Sequence, residues 1–329
     1  MKSLDPLQLD PAAPAYKDWY HLNLFDHGSG SIGLLNVSLH GALADPRARV
    51  VGTALLHVPD QGWHGNVMIA GLDEAVARFD GVFLKNMAIA LDPTGQTLHA
   101  SATLKDENLA ISLKAVPAVS PVRFQPPQPF GSGWIAWFVA PRMTLDGTLR
   151  IGSDAADLAS FTGYHDHNWG RWFWGEDIGW EWGVMTAGSE GPTFIWARVT
   201  DRSHRRVAPA HLIVVHGRQL TRFPPGSITI HLEDRLEGAS CRLPGALAAL
   251  HADRARPILP ARVQIEARAG LNWVRLAFEA EAAAQLIEGE PMRPGYSFIH
   301  ELVGDFVAVG HVHDADVESH GLGIFEYVC

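Results

Sequence analysis

The chain has 329 residues, 47 % of them hydrophobic and 19 % charged, with a formal net charge of −10 at pH 7. That length supports a large core, more often in two domains than one. The acidic balance, with no long basic run, excludes a nucleic-acid backbone as the expected partner. Cys241 and Cys329 are the only cysteines, too few for a disulfide framework. The opening Met1-Lys2-Ser3-Leu4-Asp5-Pro6 lacks the apolar core of a signal peptide, and no apolar run is long enough to span a bilayer. The expectation is a cytoplasmic protein, with peripheral membrane contact open to it if its substrate is apolar.

Strand signals dominate the chain. Leu35, Val37 and Leu39 alternate with Asn36, Ser38 and His40, the pattern of a half-buried strand. Strand patterns follow at 50–58, 82–91, 98–104 and 109–115. Pro117 to Pro129 reads as a long loop, and Asp146-Gly147 as a turn. Further strand patterns lie at 193–201, 211–216, 263–267, 298–303, 306–313 and 322–328. The total is on the order of sixteen strands, which suits sandwiches or barrels. Helical signals are few: Gly245 to Ala255 before Pro257, and the Ala/Glu-rich run Phe278 to Glu288, where propensity favours helix unless sheet context overrides it. The fold class is therefore all-β, with two halves of similar size, residues 1–173 and 174–329.

Six of the eleven tryptophans, Trp169 to Trp196, fall in one stretch, which opens with Gly163-Tyr164-His165-Asp166-His167-Asn168-Trp169-Gly170. Ionisable groups among aromatic rings suit acid chemistry on an apolar substrate, because an apolar wall raises a carboxyl's pKa and a π face attracts positive charge. Asp166 is a candidate proton donor, with His167 and His165 setting its protonation state or shuttling the proton. Glu181, in Gly179-Trp180-Glu181-Trp182-Gly183, is a second candidate acid, or else the ion-pair partner of an arginine such as Arg198. In a strand His165 and His167 share one side and Asp166 points to the other. The bland alternative makes these residues structural, with tryptophans as core and histidines as satisfied polar groups. A metal alternative rests on His311 and His313, followed by Glu318, an arrangement that partly resembles the cupin motif. The chain carries no nucleophile elbow, phosphate-binding glycine loop or dinucleotide fingerprint.

At these residues the chain resembles the lipocalin-like family of carotenoid 1,2-hydratases and AttH-type proteins. Asp18-Trp19-Tyr20 resembles that family's opening strand. Asp166-His167-Asn168-Trp169-Gly170 with Gly179-Trp180-Glu181-Trp182 resembles its central pair of motifs. His300-Glu301-Leu302-Val303-Gly304 and Gly321-Leu322-Gly323-Ile324-Phe325-Glu326-Tyr327 resemble its closing strands. The resemblance implies two lipocalin-like β domains and a preorganised apolar pocket within or between them. Two departures stand out: Asn168 replaces the family's Glu, and Phe194-Ile195-Trp196-Ala197 lacks the Tyr and carboxylate expected of carotenoid hydratases. They turn the expectation from carotenoid hydration towards cyclisation, isomerisation or binding.

The leading expectation is an enzyme that protonates an isoprenoid or polyene-like substrate and finishes by hydration or ring closure, with no cofactor and no metal. Asp166, His167, His165 and Glu181 are the candidate catalytic residues. Tyr164, Trp169, Trp172, Trp180, Trp182 and Trp196 are the candidate cavity lining. The alternatives are a carrier of an apolar small molecule and a pericyclic cyclase of the Diels–Alder type.

Overall fold

A computed structural model describes residues 3–10, 12–237, 241–242 and 259–329. The helix expected at Gly245 to Ala255 lies outside the described residues. Those residues form two large sheets, almost wholly antiparallel, with three short 3-10 turns. No helix among them is long and apolar enough to cross a membrane.

The first sheet runs in spatial order Gly62–Gly71, Arg49–Val58, Ser31–His40, Tyr16–Asp26, Thr162–Arg171, Gly133–Ile151, Leu109–Pro117, Leu98–Leu104, Met87–Leu91, Gly81–Leu84 and Val76–Arg78. The second runs Gln219–Phe223, His211–His216, Thr193–Thr200, Gly179–Thr186, Ala315–Val328, Tyr296–Val312, Asn272–Gly289, Arg262–Ala269 and Ile228–Glu233. Both follow one rule. Neighbours in sequence pair as hairpins, and the half's first long strand pairs with its last, Tyr16–Asp26 with Thr162–Arg171 and Gly179–Thr186 with Ala315–Val328. The tryptophan-rich motif is thus a central strand of the first sheet.

Each sheet curls around its own apolar core. Leu22, Leu35, Ile89, Leu113 and Met143 fill the first, and Phe194, Trp196, Ile265, Phe278 and Phe306 the second. The outer faces then pack on each other through Phe25, Leu34, Tyr164, Trp182, Ile195 and Ile324, a third core built from both sheets. Strands near this contact are covered on both faces. That changes the reading of Ser31–His40, whose polar side chains Ser38 and His40 are buried between the sheets rather than solvated.

Polar clamps fix the two sheets together. Lys17, fully buried, donates to the Trp172 carbonyl at 2.7 Å and pairs with Glu290 of the second half at 3.0 Å. Arg142 of the first sheet donates to the carbonyls of Ser189, at 2.9 Å, and Gly191, at 2.6 Å.

Three local expectations are corrected. The run Phe278 to Glu288 is strand, because Asn272–Gly289 pairs along its length with Tyr296–Val312 and over its first part with Arg262–Ala269. Tertiary pairing there overrides alanine's helix propensity. Pro117 to Pro129 is only partly loop: Val122–Phe130 pairs with Gly133–Ile151, and the pairing breaks between Phe124 and Gln128, where the prolines cannot donate. Asp146-Gly147 lies inside a strand rather than at a turn. Gly147 has φ +143°, and a Cβ there would sit 2.1 Å from the Ser112 carbonyl oxygen, so glycine allows the neighbouring strand to approach.

A bulge sets up the site. The register of Asn272–Gly289 against Tyr296–Val312 shifts between Ala280 and Ala282. Before it Val274, Leu276 and Phe278 point into the second core; after it Ala282, Ala284 and Leu286 point to the inter-sheet contact. One extra residue inverts side-chain parity and sends Glu288 the same way.

Candidate active site between the sheets

A cavity of about 150 Å³ lies in the inter-sheet contact, against the roughly 10–15 Å³ that a single water needs. It is large enough for an organic molecule. Its walls come from both sheets and are mostly apolar and aromatic: Trp19, Trp137, Trp174, Trp180, Trp182 and Phe124. Three carboxyls, Asp166, Glu301 and Glu326, share this wall.

Asp166 stands on the motif strand opposite His21 and Val139. Its carboxyl accepts from Tyr164 Oη at 2.8 Å, Asn168 Nδ2 at 2.7 Å and Trp137 Nε1 at 3.2 Å. Burial pushes its pKa up to about 7, and the Tyr164 and Trp137 hydrogen bonds resist that rise.

Glu301 and Glu326 face each other across paired strands of the second sheet. Burial raises the pKa of Glu301 well above the carboxylate range, and the charges of Glu326 and Asp166 add to this. Burial also raises Glu326, opposed by hydrogen bonds from Glu301 and Trp180 Nε1. Both carboxyls are therefore shifted towards the protonated form and titrate as one coupled pair. Among the described residues Glu301 Oε2 is buried with no hydrogen-bond partner. Like-charge pairs in a dry site share protons in this way.

The sequence-predicted residues divide between the two faces of their strands. Asp166, Trp180 and Trp182 line the cavity. Tyr164 supports it by donating to Asp166 and packing on Trp182, with ring centroids 5.3 Å apart. His165, His167 and Trp169 point the other way, towards the first core, so the acid–base pairing of Asp166 with His167 or His165 is corrected: strand alternation puts them on opposite faces. His165 donates from Nδ1 to the His21 carbonyl at 2.9 Å, and burial lowers its pKa to about 3. His167 bridges two carboxylates, Asp18 at 2.7 Å and Asp5 at 3.0 Å. Burial works against its protonation, but the two carboxylates outweigh it and raise its pKa. It pins the N-terminal segment, whose Leu4, Leu7 and Leu9 plug the first core.

Glu181 is likewise corrected. It lies on the opposite face from Trp180 and Trp182 and is held by Arg198 at 2.6 Å and His204 at 2.9 Å. Trp169 stacks on His167, Trp172 is core beside Trp174, and Trp196 packs on Phe325 inside the second core. Of the metal alternative, His311 bonds Asp316 at 2.9 Å while His313 meets Thr221 at 2.6 Å, so the pair serves two different partners.

Sequence reasoning missed Glu301, Glu326, Trp19, Trp137 and Trp174 as site residues. The signal for the two glutamates was present, since Glu301 is followed by Leu302 and Val303 and Glu326 lies between Phe325 and Tyr327, acids set in buried apolar stretches of their strands.

No family model matches the chain, and no curated protein matches it in sequence. Solved structures do match over nearly its whole length. An AttH-like protein of Nitrosomonas europaea superposes with a TM-score of 0.68 at 13 % identity, covering 95 % of this chain and 92 % of that one. Kievitone hydratase from Nectria haematococca gives 0.62 at 13 %, covering 100 % and 98 %. CghA with Sch210972 gives 0.59 at 12 %, covering 99 % and 94 %. At such identities the likeness is one of fold, and the chain has the all-β, two-sheet lipocalin-like fold that these proteins share.

Proposed function

We propose that the protein is an enzyme that protonates an alkene, or a carbonyl conjugated with one, in an isoprenoid or polyene-like substrate. The observation that carries this reading is the buried Glu301–Glu326 pair beside Asp166 in a tryptophan-walled cavity. Three carboxyls held together in apolar surroundings keep a proton at neutral pH, and that arrangement costs folding stability, which marks it as a candidate functional site. The fold shared with a protein named kievitone hydratase supports the same class of chemistry.

The roles follow from environment. The π electrons of the alkene take the proton of the Glu301–Glu326 pair, forming a C–H bond and leaving a cation on the more substituted carbon. The indole faces of Trp137, Trp180 and Trp182 stabilise that cation. Asp166, whose three donors favour its anion, acts as the base. In hydration the oxygen of a water attacks the cation and Asp166 takes the water's proton, for a net addition of water. In cyclisation a second alkene attacks, Asp166 takes a proton from carbon, and the product is an isomer. Proton return from Asp166 to the glutamate pair closes either cycle.

The test is mass spectrometry of small molecules after wild type and Asp166→Asn are each incubated with an extract of the source cells. A species gaining the mass of water, or an isomer at unchanged mass, formed by wild type alone supports the reading. Equal conversion by both proteins points to the pericyclic alternative, in which the polar groups only hydrogen-bond the substrate. Retention of an unaltered lipophile by both makes the protein a carrier.

A further inference from the structure

The cavity has a second polar pole, built around Glu288, that the protonation chemistry does not use. The bulge described above turns this side chain onto the inter-sheet contact, where it lines the cavity and is 8 % exposed. Its nearest charged or titratable neighbours, His40 and Arg49, lie at 3.7 Å, beyond hydrogen-bond reach. Lys17, the other cation here, is occupied by Glu290. His40 is also satisfied: it bonds Ser38 at 2.9 Å and accepts from Trp174 Nε1 at 3.4 Å. Among the described residues the Glu288 carboxyl, nine-tenths buried, thus has two long ion-pair contacts and accepts no hydrogen bond.

Strand register gives the distance between the poles. Glu301 pairs with Ala284, and Glu288 lies four residues further along the same strand. On the other wall Asp166 pairs with His21 and His21 with Asn36, while His40 lies four residues beyond Asn36. Each route gives about 13 Å at the usual rise of a strand. The stretch between is lined by Leu286, Ile299 and Trp19, with Ser38 as a polar residue on the Ser31–His40 wall.

We propose that Glu288 is a binding subsite for a hydroxyl group at the far end of an elongated apolar substrate whose alkene lies at the acid pole. This rests on the reading of the cavity given under the proposed function and names its substrate class. The choice of hydroxyl follows from the surroundings. A ligand carboxylate would meet Glu288 itself, and a ligand ammonium would meet Arg49 and Lys17. A hydroxyl donates to a carboxylate and accepts from a carboxylic acid, so it suits either protonation state of Glu288. That tolerance matters because burial raises the Glu288 pKa to about 7, against the lowering effect of Arg49 and Lys17.

The experiment compares farnesol, which carries a hydroxyl at one end and a trisubstituted alkene at the other, with the hydrocarbon lacking that hydroxyl. Binding is read by quenching of tryptophan fluorescence for wild type, Glu288→Leu and Glu288→Gln. The expected result is about a tenfold preference of wild type for the alcohol, from one added hydrogen bond. Glu288→Leu binds both probes equally, and Glu288→Gln, which still hydrogen-bonds, keeps a preference. Equal binding of both probes by wild type, or an unchanged preference in Glu288→Leu, overturns the subsite and leaves the acid chemistry standing. Failure of wild type to bind either probe overturns both.

Discussion

The motif strand Thr162–Arg171 carries an ionisable network on each face, and the two are built on opposite principles. On the inner face the imidazole of His167 sits between Asp18 and Asp5, and Asp18 also accepts from Tyr16 and the amides of Gln8 and Leu9. Opposite charges meet, and the Asp18 carboxyl is saturated with donors. On the outer face Asp166, Glu301 and Glu326 bring like charges together, and one Glu301 oxygen has no hydrogen-bond partner among the described residues. The first network fixes the plug of the first core. The second keeps a proton and an unused hydrogen-bonding oxygen beside a cavity. Burial alone does not separate a structural cluster from a functional one; charge compensation does.

This contrast predicts where substitutions act. Glu301→Gln removes the shared proton, and turnover is expected to fall by roughly 10²–10⁴-fold while the folded state holds or gains stability. Kinetics paired with a urea melt read both quantities. A large stability loss with unchanged turnover would reverse the roles assigned to the two faces. Asp18→Ala leaves the His167 cation short of a partner inside the first core, and a cost of about 3–5 kcal/mol is expected in the same melt.

pH separates the networks next. The folded-state pKa of Asp166, about 7, lies above the ordinary aspartate value of 3.8. Its contribution to stability is therefore fully present below pH 3.8 and is lost as pH rises through 7. Asp166→Asn should flatten the stability decline across that window. His167 is also raised, so its contribution is lost as pH rises through its folded value, and His167→Gln should lower stability most at acid pH. The smallest effect is expected for Trp180→Phe. It removes one donor to Glu326 and should cost roughly tenfold in turnover, with the pH profile moved upward because the anionic form loses support.

Much of this was legible in the sequence, for identifiable reasons. Period-two alternation marked the strands, and the alternation rule already put His165 and His167 on one side and Asp166 on the other. What remained hidden depended on contacts distant in sequence. Ser38 and His40 read as a solvated face because nothing local says that a second sheet covers them. Glu288 reaches the cavity through one bulge residue in an alanine-rich run whose local propensity is helical. Trp196 fell to the wrong role, and Glu181 took its alternative role as the partner of Arg198, because tryptophan density does not tell which face of a strand looks into space and which into core. Glu301 and Glu326 lie in segments that resemble the closing strands, and the apolar residues directly beside them were the unused signal.

The most direct test of the protonating role is isotopic. Wild type and Glu301→Gln are incubated in deuterium oxide with farnesol and, separately, with an extract of the source cells, and the products are analysed by mass spectrometry. The account predicts a hydrated or isomeric product bearing one carbon-bound deuterium from wild type and its near-absence from Glu301→Gln. A product formed without carbon-bound deuterium, or formed equally by both proteins, would contradict it.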